Sequence, residues 1–256
     1  MCTILLAWRV VPGAPIVLAA NRDELLDRPS LPPHLLREDP PLVAGGSDLL
    51  AGGTWLAVRE DGAIAAVTNR RSDIRDPRRR SRGELPLLLL DTATDAEAHE
   101  LLSAITPTAY NPFNALYVSP EHAVVAEAHG DALALHTLDP GLHVLTVFDL
   151  DDRSHPKVAF LAASFEEAAR ANGNGAAALL DAMEEILRDR GDPPAREGAD
   201  AACVDMGRYG TVSSSSVVVH DSGAITYRHA PGKPCVTPHT DVSVLLGPAL
   251  AQPSSG

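Results

Sequence analysis

Apolar positions in this chain come in short runs broken by turn residues. Residues 3–11 and 16–20 are β-prone and flank Pro12-Gly13-Ala14-Pro15, which predicts a hairpin with Cys2 at the free end of its first strand. In an antiparallel pair the start of one strand lies beside the end of the next, so Cys2 is expected next to Asn21-Arg22-Asp23-Glu24. Residues 25–50, rich in Pro and Leu without a clear period, read as a long surface excursion. A second hairpin is predicted from 54–59 and 63–69 about Glu60-Asp61-Gly62.

Beyond it the pattern turns helical. Ser81-Arg82-Gly83-Glu84 has the form of a capping box before the apolar run 85–90, with Pro86 holding that helix start to its first turn. Thr94 with Glu97 caps another helix through about Ile105. Short strands follow at 114–118, 123–128, 132–138 and 142–147. Two alanine-rich helices are predicted at 156–171 and 175–189, divided at Gly173, and a late hairpin at 211–220 and 224–228. Hairpins interrupted by helix pairs give an α+β class, antiparallel sheets covered by helices. The expected organisation is one unit over 1–247 and a flexible tail over 248–256; periodicity alone leaves open whether there are one or two sheets.

The chemistry begins at Cys2. A side chain this small permits removal of Met1, which would leave one residue holding a thiol and a free α-amine, with ordinary pKa values of about 8.5 and about 7.7 to 8.0. Asn21-Arg22-Asp23-Glu24 brings an amide, a guanidinium and two carboxylates to the same place, although an isolated tetrapeptide of this kind is by default a solvated turn. Gly52-Gly53-Thr54-Trp55 would allow close backbone approach beside a flat apolar wall, or simply a glycine turn with a core tryptophan. From Arg70 to Arg82 there are seven arginines against Asp73 and Asp76, a loop that is either solvated or holds an anionic ligand.

Composition narrows the classes. Hydrophobic residues make up 45% of 256 and charged residues 21%, enough for a packed core. A net charge of −13 and the lack of aromatics among the arginines argue against nucleic acid. Cys2, Cys203 and Cys235 lie far apart without metal or disulfide spacing, and the histidines show no paired-ligand spacing, so no metal is expected. Pro12, Gly13 and Pro15 interrupt the first apolar run, so stable membrane insertion is not expected and a reducing cytoplasmic location is.

Met1-Cys2-Thr3-Ile4, Asn21-Arg22-Asp23-Glu24, Gly52-Gly53-Thr54-Trp55, Thr68-Asn69-Arg70-Arg71, Ser81-Arg82-Gly83 and Tyr209-Gly210-Thr211 occur in an order that resembles the NRDE family, also called the Transport and Golgi organisation protein 2 family. The resemblance implies a four-layer αββα sandwich of the N-terminal nucleophile hydrolase type, similar to bile-salt hydrolases and penicillin V acylases. It implies Cys2 as nucleophile and Asp23 as the orienting carboxylate, with Asn21 matching the acylases' asparagine; read from the residues themselves, Asn69 at its strand end is a candidate oxyanion donor, and Asn21, Arg22, Trp55, Arg70 and Arg71 are substrate-binding candidates. Two positions depart from the acylase pattern: Ala20 stands where an arginine is expected and Val147 where an asparagine is. Two readings therefore stand together. One is a cysteine hydrolase or acyltransferase acting on an amide or thioester of a small acyl compound, with no cofactor required; the other is a non-catalytic carrier of haem or a lipid such as acyl-CoA.

Overall fold

In the computed structural model, residues 2–172, 175–193 and 196–247 are described. The first hairpin joins β1 (Thr3–Val11) to β2 (Ala14–Leu25), with Gly13 turning the chain at φ +77°. Its register runs from Thr3 opposite Asn21 to Trp8 opposite Ile16. The run Thr3-Ile4-Leu5-Leu6-Ala7-Trp8 is buried without a break because both of its faces are covered. Ile4, Leu6 and Trp8 point into a core between two sheets, while Leu5 and Ala7 point into a second core beneath helices.

The first sheet is antiparallel throughout. It continues β1 and β2 with β10 (Gly141–Leu145) on one side, and with β12 (Tyr209–Val219), β13 (Ile225–Ala230) and β14 (Thr240–Asp241) on the other. A short β11 (Asp205–Met206) pairs with β12. The second sheet is a meander in chain order: β3 (Ser30–Arg37), β4 (Val43–Asp48), β5 (Leu56–Arg59), β6 (Ile64–Asn69), β7 (Phe113–Val118), β8 (Ala123–His129) and β9 (Ala132–Thr137). Helices α1 (Leu85–Leu90) and α2 (Asp95–Ser103) cover its outer face through Leu85, Leu89 and Leu102. Helices α3 (Pro156–Asn172) and α4 (Ala176–Ile186) cover the first sheet through Leu161, Phe165, Leu180 and Met183. The layers are thus helix, sheet, sheet, helix, with the two inner sheet faces meeting at Leu6, Leu18, Leu56, Ile64 and Leu116.

Two expectations need correction. Residues 25–50 are not a surface excursion: they hold β3 and β4. Pro32 and Pro33 are tolerated because β3 is an edge strand, and register shifts between Leu31 and His34 and between Leu35 and Arg37 erase the two-residue period. In β4 the glycines mark close packing. A Cβ on Gly46 would lie 2.3 Å from the Trp55 ring, and one on Gly45 would lie 2.5 Å from the Leu56 carbonyl. The second correction is local: Ser81 caps a 3-10 turn over Arg82–Glu84, accepting from the Gly83 N–H, and α1 follows with Pro86 in its first turn. Thr94 caps α2 as anticipated, accepting from the Glu97 N–H. The expected break at Gly173 and the expected tail over 248–256 lie outside the described residues.

Gly53 joins the β4–β5 turn to the segment before α1. At φ +80° a Cβ there would lie 2.2 Å from the Gly83 carbonyl oxygen, which also accepts the Thr54 N–H. Gly52 has φ +73° but open space around it. Gly52→Ala is therefore expected to cost about 1 kcal/mol through backbone strain alone. Gly53→Ala adds a backbone clash and is expected to cost about 3 kcal/mol. Urea unfolding midpoints of the two variants test the difference.

Candidate active site

Where the two sheets part, at the start of β1 and the end of β2, they leave a cavity of about 480 Å³ lined by Cys2, Arg22, Asp23, Trp55, Asn69 and Arg82 among others. That volume lies within the range of about 300–1,000 Å³ usual for small-molecule sites. Pairing of Thr3 with Asn21 sets Cys2 beside Arg22, and pairing of β2 with β12 sets Thr211 opposite Asp23. The half-buried Cys2 opens to this cavity. Its position beside the Asn-Arg-Asp-Glu segment is the one the hairpin pattern predicted.

Asp23 is buried beneath that floor. Its Oδ1 accepts a 2.6 Å hydrogen bond from Thr211 Oγ1, which in turn accepts the Val204 N–H at 2.9 Å. Lys157, in the first turn of α3, brings Nζ to 3.9 Å from Oδ2 with only 3% of its side chain exposed. Tyr209 donates its hydroxyl to the Asp23 main-chain carbonyl. Three titratable groups therefore share one buried neighbourhood. Burial raises the Cys2 thiol, and the Asp23 carboxylate adds to the rise, while the Asp23 N–H and the Arg22 guanidinium oppose it. Burial also raises the Asp23 carboxyl against the pull of Lys157 and Thr211, and lowers the Lys157 ammonium against the pull of Asp23 and Cys2. Their protonation is linked through Asp23, whose negative charge raises both the Cys2 thiol and the Lys157 ammonium, while Lys157 pulls the Asp23 carboxyl down.

The opposite wall is aromatic and cationic. The Arg22 guanidinium lies over the Trp55 ring, 4.1 Å from its centroid, and donates to Asp48 and Ser30, each at 3.1 Å. Arg28 forks onto both oxygens of the same Asp48, at 2.6 and 3.2 Å, and the Leu50 and Ala51 N–H groups donate to it as well. Ala20 belongs to the inter-sheet core, and Arg22, two residues along the strand, keeps to that same side. Asn69 ends β6 and is half-buried at the cavity. Arg79 and Arg82 also line it; each donates to a main-chain carbonyl, of Tyr110 and Pro112 respectively.

Three expected ligand-binding residues lie elsewhere. Asn21 alternates to the helical face of the sheet, where its amide donates to the carbonyls of Leu187 and Ala202, both at 2.9 Å. Arg70 donates to Asn114 and pairs with Glu127 and Asp149. Arg71 is exposed, and its N–H donates to the Val147 carbonyl. Lys157, Thr211, Asp48 and Arg82 had no assigned role in the sequence. Lys157 did carry a signal: a cation in the first turn of a helix opposes the helix dipole and asks for a nearby anion.

Asp48 holds the wall together. Burial pushes its carboxyl up, but Arg28 and the Ala51 and Leu50 N–H groups outweigh that and hold it below the usual carboxylate range. A depressed folded-state pKa stabilises above the unfolded value of about 3.9 and loses that contribution as pH falls through the folded value. Asp48→Asn is accordingly expected to cost about 2–3 kcal/mol at pH 7, with the difference from the parent shrinking below about pH 4. Urea midpoints across pH 3 to 7 measure it.

Comparison with known proteins places this architecture. The Transport and Golgi organization protein 2 homolog of Homo sapiens is 27% identical over 238 residues, 83% of this chain and 84% of that protein. Among solved structures, the Caenorhabditis elegans N-acylethanolamine-hydrolyzing acid amidase ortholog superposes with a TM-score of 0.59 at 16% identity, covering 85% of this chain and 92% of that one. The C2A mutant of the conjugated bile acid hydrolase from Clostridium perfringens gives 0.57 at 12% identity, covering 95% and 93%. These likenesses establish the N-terminal nucleophile hydrolase fold, the αββα sandwich seen in the layers above. The model of the family Transport and Golgi organisation 2 matches residues 1–230, and the chain belongs to that family.

Proposed function

We propose that this protein is a cysteine hydrolase or acyltransferase of the N-terminal nucleophile type, acting on an amide or thioester of a small acyl compound. The observation that carries the reading is the placement of Cys2 at the cavity with Asp23 and Lys157 buried behind it. Such a cluster of mutually perturbed groups in a cleft is the physical mark of an acid–base site. Two structural neighbours, by their titles an amidase of N-acylethanolamines and a hydrolase of conjugated bile acids, support the same chemistry.

In this mechanism removal of Met1 frees the Cys2 amine. The sulfur attacks the acyl carbonyl as the amine takes the thiol proton, and Asp23, fixed by Thr211, holds the resulting ammonium. Lys157 limits the cost of burying the Asp23 charge. Asn69 donates to the oxyanion, taking the part that Val147, an aliphatic residue, has no group to play. The ammonium then protonates the departing amine or thiolate, and water, or another nucleophile, releases the acyl group from Cys2. Arg22 on Trp55 forms the wall that receives the acyl chain or its polar end.

The absence of a guanidinium at Ala20 favours a second reading: a carrier of haem or acyl-CoA using the same cavity without turnover. One set of measurements separates them. For the enzyme, intact mass shows a chain beginning at Cys2, and an acyl adduct forms there from amide or thioester substrates. Cys2→Ala then lowers kcat by at least about 1,000-fold. Asn69→Ala lowers kcat by about 100- to 1,000-fold with little change in KM. Retained Met1, no adduct, and ligand binding indifferent to Cys2→Ala would establish the carrier instead.

A further inference from the structure

Cys203 and Cys235 are 32 residues apart in the chain, yet their sulfurs lie 2.7 Å from one another. Spacing along the sequence suggested no such pairing. Both segments are fixed independently of the sulfurs. Arg188 Nε donates to the Pro234 carbonyl at 2.9 Å, Lys233 pairs with Asp205 at 2.7 Å, and the Cys203 N–H donates to the Asp189 carbonyl at 2.7 Å. A covalent S–S bond needs about 2.05 Å, so closing it takes a shift of less than about one ångström. Cys203 is buried, whereas Cys235 is partly exposed in a turn closed by Val236 and Thr237 N–H groups on the Lys233 carbonyl. One sulfur can therefore meet a reagent and the other is placed to resolve it.

We propose that Cys203 and Cys235 form a redox modification site that takes a low-mass disulfide as oxidant and locks the segment supporting Asp23. The Cys235 thiolate attacks one sulfur of a disulfide RSSR, forming a mixed disulfide and releasing one thiolate RS−. The Cys203 thiolate then attacks the Cys235 sulfur, forming the Cys203–Cys235 bond and releasing the second RS−. The two protein thiols are oxidised, RSSR is reduced to two RSH, and the two thiol protons end on the released thiolates. Burial, and then the Cys235 sulfur, raise the Cys203 thiol, so the resolving step quickens as pH rises.

The pair is coupled to the cavity floor through its neighbours. On one side of Cys203 the Ala202 carbonyl accepts from Asn21, and on the other the Val204 N–H donates to Thr211 Oγ1, the group that binds Asp23. Oxidation ties this support to the turn at 233–236. The site itself stands whether or not the proposed catalysis is correct, since thiol counting does not depend on turnover.

The test uses the full chain carrying Cys2→Ala, which retains only these two of the three cysteines. The protein is equilibrated with glutathione disulfide at pH 8, acid-quenched, denatured and alkylated. Intact mass should show two labels on the reduced protein and none on the oxidised one, without a glutathione adduct, and peptide mapping should join the Cys203 and Cys235 peptides. The thermal midpoint should rise by about 5–10 °C on oxidation. In a further Cys235→Ser variant, Cys203 should remain alkylatable and the midpoint unmoved. Two labels surviving on the treated protein, or a glutathione adduct that persists at either sulfur, would overturn the proposal.

Discussion

Strand β2 lies between β1 and β12, and the register of those two pairings fixes nearly everything at the cavity. Thr3 opposite Asn21 decides where Cys2 stands, and Thr211 opposite Asp23 decides what holds that carboxylate. Because side chains alternate across a strand, a slip of one residue would turn Arg22 into the helical layer and Asn21 into the cavity. The slip is opposed by burial on both faces. Ile4, Leu6 and Leu18 serve the inter-sheet core while Leu5, Ala7, Val17 and Ala19 serve the helical one, so exchanging faces would misfit both at once. Hydrophobic packing thus supplies the precision that the polar groups use.

That arrangement sorts the Asn-Arg-Asp-Glu segment into two functions. Arg22 faces between the sheets, onto Trp55 and Asp48, and shapes the cavity wall. Asn21 faces the helices and fixes the carbonyls at Leu187 and Ala202. Asp23 belongs to both: its carboxylate meets Lys157 from α3, while its N–H acts on the Cys2 thiol. The burial that makes the Asp23 and Lys157 charges costly also strengthens the interaction between them.

The sequence made the hairpins, both helix pairs and the neighbourhood of Cys2 legible, because those follow from local period and turn chemistry. It hid β3 and β4, where Pro32, Pro33, Gly45 and Gly46 resemble loop residues. Their reasons are an edge position and close approach by Trp55 and Leu56, both set by distant chain. The site residues divide in the same way. Cys2, Arg22, Asp23, Trp55 and Asn69 reach the cavity because they lie at or within a few residues of strand ends in the two hairpins. Arg70 and Arg71 directly follow Asn69, but one is drawn off by Asn114, Glu127 and Asp149 and the other by its own exposure. Asp48 was silent because a lone aspartate acquires meaning only from its partner across the fold, and Lys157 gave only the hint of a cation in the first turn of a helix.

The meander of β3 to β9 is stitched by neighbours in the chain, whereas the central pairing of the other sheet joins residues 188 apart, Asp23 to Thr211. Short-range hairpins close early and long-range pairings close late. During synthesis, therefore, the half of the molecule carrying Trp55 and Asn69 can be assembled while the Cys2 strand still lacks its far neighbour. A chain that stops before residue 211 lacks the Thr211 hydroxyl that donates to Asp23, so the carboxylate beside Cys2 gains that partner only when β12 is in place.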